Sequence, residues 1–591
     1  MKDFFKMMFA SAIGFIIASF IFALISMIVV FGMVGTMAES FVGQQSVSIQ
    51  QNSVLNLRLD GVIQERVAES DPFTELLSSS VAPMGLNDIV GAIRKAKNND
   101  NIKGIYIDSR MFSASTATLM EIRAELESFK ESDKFIVAYA DNYVQSGYLL
   151  ASVADEVVIN PHGALDLHGL SSTPLFYKDA LDKLGVKVEL FKVGTYKSYA
   201  EPFTQTEMSD ANKEQVSSYL NDIWSVIKGS IANSRGMSPE QIDDLADVFP
   251  MFKKTDFLLE NNLVDKTMYE TEMKDYLREL LGLNKDAKIP SVSVADMKKV
   301  KSGAIKKSSN SIGLLYAVGG ITSGSGASGI QDKYMVNQIE KLRKDKDIKA
   351  VVLRVNSGGG SAYASEQIWK AIEELKAEKP IVVSMGDMAA SGGYYISCNA
   401  DKIVASPTTI TGSIGIFGLI PNFSGTMNKI GISADVVKTN ELSDFGNISR
   451  TFNEKESALM QEYINNGYDL FLTRCAEGRG IPKDTLALYA EGRVWTGTQA
   501  KEIGLVDELG GVQEAIDIAA ELANLGKSYA VYEYPKMKTA IEELLNKGKE
   551  DIVAKSAKEW LGANYDIFMM LKGTETQDFI QARVPYDLNI K

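Results

Sequence analysis

The stretch "NIKGIYIDS", Asn101 to Ser109, and the stretch "DIKAVVLRV", Asp347 to Val355, share one pattern. Each is a polar turn that leads into an apolar run, which predicts a turn followed by a buried β-strand. They lie 347 − 101 = 246 residues apart, and this offset pairs turn and strand residues over about 90 positions without a gap. Such pairs include Val137 with Val383, Asp141 with Asp387, Asp155 with Asp401, Gly169 with Gly415 and Lys192 with Lys438. The chain therefore contains two copies of one domain.

Strand-like and helix-like patterns alternate within each copy, as in "GIYIDS", "EIRAELESF" and "FIVAYAD". This order predicts an α/β fold with largely parallel sheets. We expect an N-terminal repeat domain over 50–287 and a C-terminal repeat domain over 311–535. Residues 288–310 between them are basic, serine-rich and poorly periodic, which indicates a linker. Residues 536–591 contain an amphipathic pattern and are interpreted as a C-terminal helical extension.

Residues 7–37 contain no charged side chain. About 20 apolar residues span a bilayer as a helix, so this stretch predicts a transmembrane anchor. A cleaved signal peptide, whose apolar core has only about 7–15 residues, and a buried core helix are the alternatives. Lys2 and Lys6 precede the stretch, and the next basic residue is Arg58. The positive-inside rule then puts residues 1–6 in the cytoplasm and the remainder on the other side of the membrane.

The composition excludes some classes of partner. The net charge of −14 argues against nucleic acid, because phosphate binding needs a basic face. The two cysteines form no disulfide framework and have no metal-ligand spacing. The two histidines, His162 and His168, are also poorly spaced for a metal. We therefore predict no metal site.

A candidate nucleophile and a candidate oxyanion hole both lie in the second copy. Ser391 stands in an Ala-Ala-Ser-Gly-Gly turn between a predicted strand and an apolar helix-like run. Upstream, "NSGGGSA" contains Gly359 and Gly360, and a glycine turn lets backbone N–H groups approach a ligand oxygen. At the offset of 246, Ser391 corresponds to Gln145, so the first copy has no nucleophile there.

A lysine in the first copy is the candidate base. Lys197 lies in "FKVGTYKSYAEPF", and its counterpart in the second copy is Ser443. A buried lysine can be neutral and accept a serine proton. One copy thus keeps the lysine and the other keeps the serine, which predicts one shared site. A Ser-His-Asp arrangement with His162 or His168 and Asp166 is conceivable, but both histidines align with loop residues of the other copy.

The motifs "VNSGGGSAYASE", "MGDMAASGGYYIS", "TGSIGIFG" and "GTYKSYAEPF" resemble those of the signal peptide peptidase A family, the bacterial protease IV type, in its long, duplicated form. The resemblance covers nearly the whole chain. It implies a tandem repeat of two Clp protease/crotonase-like domains behind an N-terminal transmembrane helix. It also implies peptide hydrolysis through an acyl-enzyme, with no cofactor.

The resemblance assigns roles to particular residues. Ser391 would be the nucleophile and Lys197 the general base, while Ser413 would orient the lysine. The N–H of Gly359 or Gly360, together with that of Gly392, would form the oxyanion hole. Gly358 departs from the family's loop, which often has proline there, and this leaves the donor among the glycines open.

Substrate, assembly and location are also implied by the resemblance. The family cleaves signal peptides that have already been released, and its duplicated members form homotetramers. It is anchored in the bacterial inner (cytoplasmic) membrane by a single span, with the catalytic domains on the periplasmic, extracytoplasmic side. A crotonase-like acyl-thioester enzyme and an inactive membrane scaffold are the alternatives. Whether Lys197 meets Ser391 of its own chain or of a neighbour stays open.

Overall fold

The computed structural model describes residues 48–68, 82–300, 310–326, 328–526, 528–537 and 580–583, and scattered positions between Lys6 and Ile25. Those scattered positions are helical. The predicted anchor over 7–37 lies largely outside the described residues. Among the helices in the described part of the chain, none is long and apolar enough to cross a bilayer.

Strands and helices alternate through the first repeat, as the sequence pattern predicts. In chain order its elements are β1 (Ser53–Gln64), β2 (Met84–Gly85), α1 (Leu86–Lys97), β3 (Ile102–Ser113), α2 (Thr116–Lys130), β4 (Phe135–Ala140), α3 (Gln145–Ala151), β5 (Glu156–Ile159), α4 (Lys178–Leu184), β6 (Lys187–Lys192), α5 (Glu201–Thr204), α6 (Asp210–Arg235), α7 (Pro239–Val248), a 3-10 turn (Pro250–Phe252), α8 (Thr255–Glu260), β7 (Lys266–Thr267), α9 (Glu270–Leu280), β8 (Ser291–Ser293) and α10 (Val294–Lys299).

The second repeat follows the same alternation. Its elements are β9 (Ser311–Val318), β10 (Ile321–Thr322), β11 (Ile330–Gln331), α11 (Asp332–Lys344), β12 (Ile348–Ser357), β13 (Gly359–Ser361), α12 (Ala362–Lys376), β14 (Ile381–Ala390), α13 (Gly392–Tyr395), β15 (Lys402–Ala405), β16 (Ile410–Gly412), β17 (Phe417–Asn422), α14 (Ser424–Lys429), α15 (Glu454–Arg479), α16 (Lys483–Ala487), β18 (Val494–Thr496), α17 (Gly497–Glu502), β19 (Glu508–Leu509), α18 (Val512–Leu522) and β20 (Ala530–Tyr534). A further strand, β21 (Ile580–Arg583), follows near the C-terminus.

Each repeat builds its own, mostly parallel sheet. In the first repeat the strand order is β2-β1-β3-β4-β5-β7, and β8 also pairs with β1. In the second it is β18-β16-β14-β12-β9-β20, with β15 on β14 and β19 on β15. The central strands β3, β4, β12 and β14 are largely buried, because helices cover both faces of each sheet.

The two repeats also share particular hydrogen bonds. The Asp155 carboxylate accepts from the Ile136 N–H, and the Asp401 carboxylate accepts from the Ile381 N–H, both at 2.8 Å. The two acceptors lie 401 − 155 = 246 residues apart and the two donors 381 − 136 = 245, so this strand is shifted by one residue relative to the offset. Helices α2 and α12 begin and end 246 residues apart. The duplication inferred from the sequence is therefore a duplication of structure.

Our prediction of a linker over 288–310 is wrong for its first half. Strand β8 pairs with β1 in parallel, just as β20 pairs with β9 in the second repeat. Helix α10 then packs against α1, and Val292 and Met297 are buried. These residues therefore complete the first domain. Strand β8 has the sequence Ser-Val-Ser, which is too short for its alternation to be recognised in the sequence. Residues 301–309 lie outside the described part.

A third sheet joins the two repeats. Its order is β11-β10-β13-β21-β17-β6, so it takes strands from both repeats and from the C-terminal region. Strand β6 of the first repeat runs antiparallel to β17 of the second, with Lys192 opposite Phe417. This pairing brings the turn after β6, which contains Lys197, to the second repeat.

The C-terminal extension differs from our prediction where it is described. We expected helix over 536–591, whereas residues 580–583 form the strand β21. It is antiparallel to both β13 and β17, so its backbone polar groups are paired by two neighbours rather than within a helix. The amphipathic stretch of the extension lies outside the described residues.

A buried ionic cluster also connects the repeats. Arg354 on β12 pairs with Glu65, which follows β1, at 2.9 Å, and with Glu121 on α2. All three side chains are buried. One guanidinium of the second repeat thus pairs with two buried carboxylates of the first.

Candidate active site

Ser391 occupies a strained turn between β14 and α13. Its backbone has φ 55° and ψ −115°, a conformation that residues with a side chain rarely adopt. Its N–H donates to the Gly412 carbonyl at 2.8 Å, which holds the turn. A β-carbon at Gly393 would lie 2.5 Å from the Ser357 carbonyl oxygen, so the turn requires glycine two residues after the serine.

Lys197 meets Ser391 of the same chain. Its Nζ lies 2.7 Å from Ser391 Oγ, 3.0 Å from Ser413 Oγ and 3.2 Å from the Ser413 carbonyl oxygen. The lysine is 1% exposed and the serine is fully buried. The pairing across the two repeats that the sequence indicated is therefore present in the structure.

Burial lowers the pKa of Lys197 well below its usual range, because the charged amine would lose its hydration. The neighbouring partners of the amine are hydroxyl and carbonyl oxygens rather than carboxylates. The Phe417 ring lies 6.0 Å from Nζ, and Tyr199 stacks on that ring at 5.0 Å. A neutral amine has a lone pair that can accept the Ser391 hydroxyl proton.

Ser413 is held beside Ser391 by sheet register. Strands β14 and β16 pair Ala390 with Gly412, so the residues that follow them, Ser391 and Ser413, are neighbours. The Ser413 N–H donates to the Arg493 carbonyl at 2.7 Å. Its hydroxyl is 3.3 Å from the Gly492 carbonyl oxygen, which it can reach as a donor. Ser413 thus has the contacts that orienting the amine requires.

The glycine loop lies against the serine turn. A β-carbon at Gly359 would be 2.6 Å from the Gly392 nitrogen, and one at Gly360 would be 2.0 Å from the Ile321 carbonyl oxygen. Both loop glycines also have positive φ, 95° and 157°. The Gly359 N–H donates to Ser357 Oγ at 3.1 Å. The loop backbone therefore lies so close to Gly392 and Ile321 that a side chain at Gly359 or Gly360 would not fit.

The histidines belong to the first repeat's own loop. His168 pairs with Asp166 at 2.6 Å, and its backbone N–H donates to the side chain of Gln145 at 2.9 Å. Gln145 is the counterpart of Ser391, so this loop closes the equivalent turn of the first repeat. The backbone N–H of His162 donates to Asn160, two residues away. The described contacts favour a structural role for both histidines.

Asp387, the carboxylate nearest to Ser391 in sequence, caps a helix. It accepts hydrogen bonds from the Ser115 hydroxyl and from the N–H and hydroxyl of Thr118, at 3.1 and 2.9 Å for the latter two. These donors lie at the start of α2. The crotonase alternative needs a carboxylate over the substrate, and this one is engaged elsewhere. Within the described part of the chain, no His, Cys, Asp and Glu side chains form a group that could hold a metal ion.

Gln215 supports the turn that contains Lys197, which we call the lysine turn. No pattern in the sequence indicated this role. From the buried face of α6, its side-chain amide donates to the Tyr196 carbonyl at 3.0 Å and to Ser198 Oγ at 2.9 Å. Its oxygen accepts the Val494 N–H at 3.3 Å. One side chain thus ties the residues on both sides of Lys197 to strand β18. A glutamine in an amphipathic helix has no distinguishing pattern.

A buried serine in a strained turn, a desolvated lysine amine 2.7 Å from its hydroxyl and the close glycine backbone together form a site typical of serine hydrolases. The family model of Peptidase family S49 matches residues 128–284 and 373–526, one segment in each repeat, and that of Clp protease matches residues 305–411.

Relatives agree with this class. The chain is 35% identical over 508 residues to Protease 4 of Haemophilus influenzae, covering 83% of this chain and 82% of the relative. It is 38% identical over 459 residues to Protease 4 of Salmonella typhi, covering 76% and 73%. It is also 36% identical over 208 residues, 34% of this chain and 60% of the relative, to an Enterococcus faecium protein provisionally named signal peptide peptidase SppA. The chain belongs to peptidase family S49 and is a serine peptidase.

Proposed function

We propose that the chain is a membrane-tethered endopeptidase in which Lys197 activates Ser391. The observation that carries this proposal is the 2.7 Å contact between Lys197 Nζ and Ser391 Oγ inside a buried site. Water is excluded there, so the amine can be neutral at physiological pH and act as a base.

The reaction proceeds through an acyl-enzyme. Lys197 takes the Ser391 proton as the serine oxygen attacks the peptide carbonyl, and the resulting ammonium protonates the leaving amine. Water, deprotonated by the same amine, then hydrolyses the ester. Ser413 orients the amine between its hydroxyl and carbonyl oxygens.

Two backbone N–H groups hold the oxyanion. The glycine loop supplies the first donor, from Gly359, whose N–H also contacts Ser357 Oγ, or from Gly360. Gly392 is the second donor, because it is the first residue of α13 and its N–H is not needed by the helix.

Cleaved signal peptides are the proposed substrates. Such peptides are apolar and can bind extended. The space between β13 and β17 accepts an extended segment, because β21 pairs antiparallel with both strands there. The family resemblance and the name of the Enterococcus relative support this substrate class.

The proposed location is the bacterial inner membrane, with a single span at 7–37 and the repeats on the extracytoplasmic side. The uncharged stretch and the lysines before it support this orientation. Protease added to intact spheroplasts should digest the repeat domains; protection until lysis would reverse the orientation.

A homotetramer is supported by an exposed segment of the second repeat. At the offset of 246, residues 433–438 of the second repeat are the counterpart of β6. Residues 171–176 of the first repeat are likewise the counterpart of β17. Val437 is 98% exposed and Leu175 is 66% exposed. We propose that these segments of neighbouring copies pair as β6 and β17 do within the chain, which closes a ring.

The oligomeric state tests this pairing. Val437→Asp should shift the mass measured by light scattering from tetramer to smaller species. Leu488→Asp, at another exposed apolar residue, should leave the mass unchanged. An unchanged tetramer in the Val437 variant would contradict the pairing.

Active-site labelling tests the enzyme. A fluorophosphonate probe should label the wild type and not Ser391→Ala, and Lys197→Ala should lower peptide cleavage by about 10²–10⁴-fold. Ser443→Ala and Lys187→Ala, at exposed residues, are matched controls that should retain activity. Retained cleavage in Ser391→Ala would end the proposal.

A further inference from the structure

Arg493 packs on the lysine turn from the second repeat. It directly precedes β18, and its guanidinium lies 4.7 Å from the Tyr196 ring and 4.7 Å from the Trp495 ring. A guanidinium is attracted to aromatic rings because its charge is delocalised over a plane. Tyr196 is the residue before Lys197, so the arginine side chain holds the turn next to the catalytic amine.

Glu214 on α6 connects the same two side chains. Its carboxylate accepts from Arg493 Nη1 at 2.8 Å and from the Tyr196 hydroxyl at 3.1 Å. The Arg493 side chain is 19% exposed and that of Glu214 is 55% exposed. An ion pair this exposed adds little to stability. The three residues form one cluster across the two repeats, which we call the arginine clamp.

The backbone of Arg493 holds a second neighbour of the amine. Its carbonyl accepts from the Ser413 N–H at 2.7 Å, and its own N–H donates to the Ala490 carbonyl at 3.0 Å. Ser413 Oγ in turn lies 3.0 Å from the Lys197 amine. Arg493 thus contacts the lysine turn through its side chain and Ser413 through its backbone.

The counterpart positions of the arginine clamp are apolar. Helices α6 and α15 begin 454 − 210 = 244 residues apart, and the sequence Leu-Val-Asp recurs after 505 − 263 = 242 residues. With these offsets, and that of 246 at the lysine turn, the counterparts of Tyr196, Glu214 and Arg493 are Leu442, Ala458 and Met251. The fold that both repeats share therefore forms without the clamp, which occurs beside the catalytic lysine.

We propose that Arg493 is a positioning residue of the peptidase: with Glu214 and Tyr196 it holds the lysine turn so that the Lys197 amine stays buried within reach of Ser391. The proposal rests on the proposed function. Arg493 acts through Tyr196 and Ser413 rather than on the peptide. Without the clamp the lysine turn can move and water can reach the amine.

Kinetics of Arg493→Met over a range of pH test the proposal. Because the amine is displaced while the peptide groove is untouched, kcat should fall by about 10–100-fold with little change in KM. The rising limb of kcat/KM should also move to higher pH, because burial lowers the pKa of Lys197 and hydration restores it. Glu214→Leu removes the acceptor of both hydrogen bonds and should move the limb the same way. Since Glu214 is exposed, this variant carries the test if Arg493→Met does not fold.

The direction of the two shifts separates positioning from charge. Loss of a nearby cation raises the pKa of an amine and loss of a nearby carboxylate lowers it. A purely electrostatic effect would therefore move the limb in opposite directions in Arg493→Met and Glu214→Leu, and that result would overturn the proposal. Glu491, whose carboxylate accepts the Thr195 N–H at 3.3 Å, is unchanged in both variants.

Arg474→Met is the matched control. The Arg474 guanidinium also lies on a ring, 3.8 Å from that of Trp369, and pairs with Glu366 at 2.6 Å. This variant should leave the rising limb in place. An equal shift in Arg474→Met would reflect a general loosening of the fold and would overturn the role of Arg493.

Labelling of Ser391 by a fluorophosphonate distinguishes this proposal from the proposed function. A wild type that is labelled and active, beside an Arg493→Met chain with the same kcat and the same rising limb, overturns positioning by Arg493 and leaves the proposed function intact. A wild type that is neither labelled nor active overturns both.

Discussion

Gly492 packs directly on the backbone of Lys197. A β-carbon at Gly492 would lie 2.7 Å from Lys197 Cβ and 2.8 Å from its Cα, and Gly492 has φ 78°. In the turn that contains Lys197, a β-carbon at Gly194 would lie 2.3 Å from the Glu491 carbonyl oxygen. Two glycines, one from each repeat, therefore interlock the lysine turn with the segment before β18.

Gly492→Ala should displace Lys197 and lower kcat by about 100-fold, because a shift of about 1 Å in a reacting group has that cost. Gly480→Ala is the control, since Gly480 also has a left-handed φ but has open space around it. Peptide cleavage kinetics measure the effect. Equal activity in the two variants would show that the glycine contact does not position the lysine.

The pH–rate profile should report the neutral lysine. Because the base is the unprotonated amine, kcat/KM should rise as the pH increases through the pKa of Lys197. Burial puts that pKa well below the usual lysine value of 10.5, so the rising limb should lie well below pH 10.5. A rising limb near 10.5 would contradict a desolvated lysine base.

Lys197→Met should raise thermal stability while it removes activity. A folded-state pKa below the unfolded value means that the unfolded chain binds more protons, so the wild type gains stability as the pH rises toward 10.5. Between the two pKa values this gain is about 1.4 kcal/mol per pH unit. The advantage of the Met variant should therefore shrink from pH 6 to pH 9 in urea unfolding. A constant difference would mean that the lysine is charged in the fold.

Gln215→Met should reduce kcat more than it changes KM. The variant loses the hydrogen bonds to Tyr196, Ser198 and Val494, so the lysine turn is held less tightly, while the peptide groove is untouched. Asn221→Ala, on the exposed side of the same helix, is the control. Steady-state kinetics on both variants, with melting temperatures alongside, distinguish positioning from a loss of fold. A drop confined to the melting temperature would leave Gln215 a purely structural residue.

Arg354→Met should lower the free energy of unfolding by about 3–5 kcal/mol, because Glu65 and Glu121 would stay buried without their cation. Burial already raises the pKa of Glu121. In the variant, a carboxyl whose pKa is higher in the folded than in the unfolded chain binds more protons in the folded state. Stability therefore falls as the pH rises, and the destabilisation should be greater at pH 8 than at pH 5.

Arg58→Met removes an exposed pair with Asp60 and should change the unfolding free energy by less than about 1 kcal/mol. Urea titrations at both pH values compare the variants. If Arg354→Met behaves like Arg58→Met, the cluster does not hold the repeats together.

Much of the fold follows from local patterns. Strands such as β3 and β12 and turns such as that of Ser391 are encoded by neighbouring residues, because burial of consecutive side chains and the need for glycine are local properties. The duplication made these patterns stronger, since one offset aligned both copies. The complementary loss of serine and lysine even indicated which two distant residues to join.

Long-range pairing was beyond the sequence. Strand β8 was interpreted as linker and β21 as helix, since three or four residues carry almost no pattern until a neighbouring strand pairs with them. Gln215 and Gly492 were missed for the same reason: their role exists only against residues far away in the chain.

The sequence by itself determined the two repeats, their α/β class and the residues Ser391 and Lys197, because periodicity, turn chemistry and offset are written in consecutive positions. Only the tertiary structure decided that β6 pairs with β17, which carries Lys197 to Ser391 and buries it there. The physical reason is that the pKa of an amine depends on the solvent it loses, and that loss is produced by both repeats together.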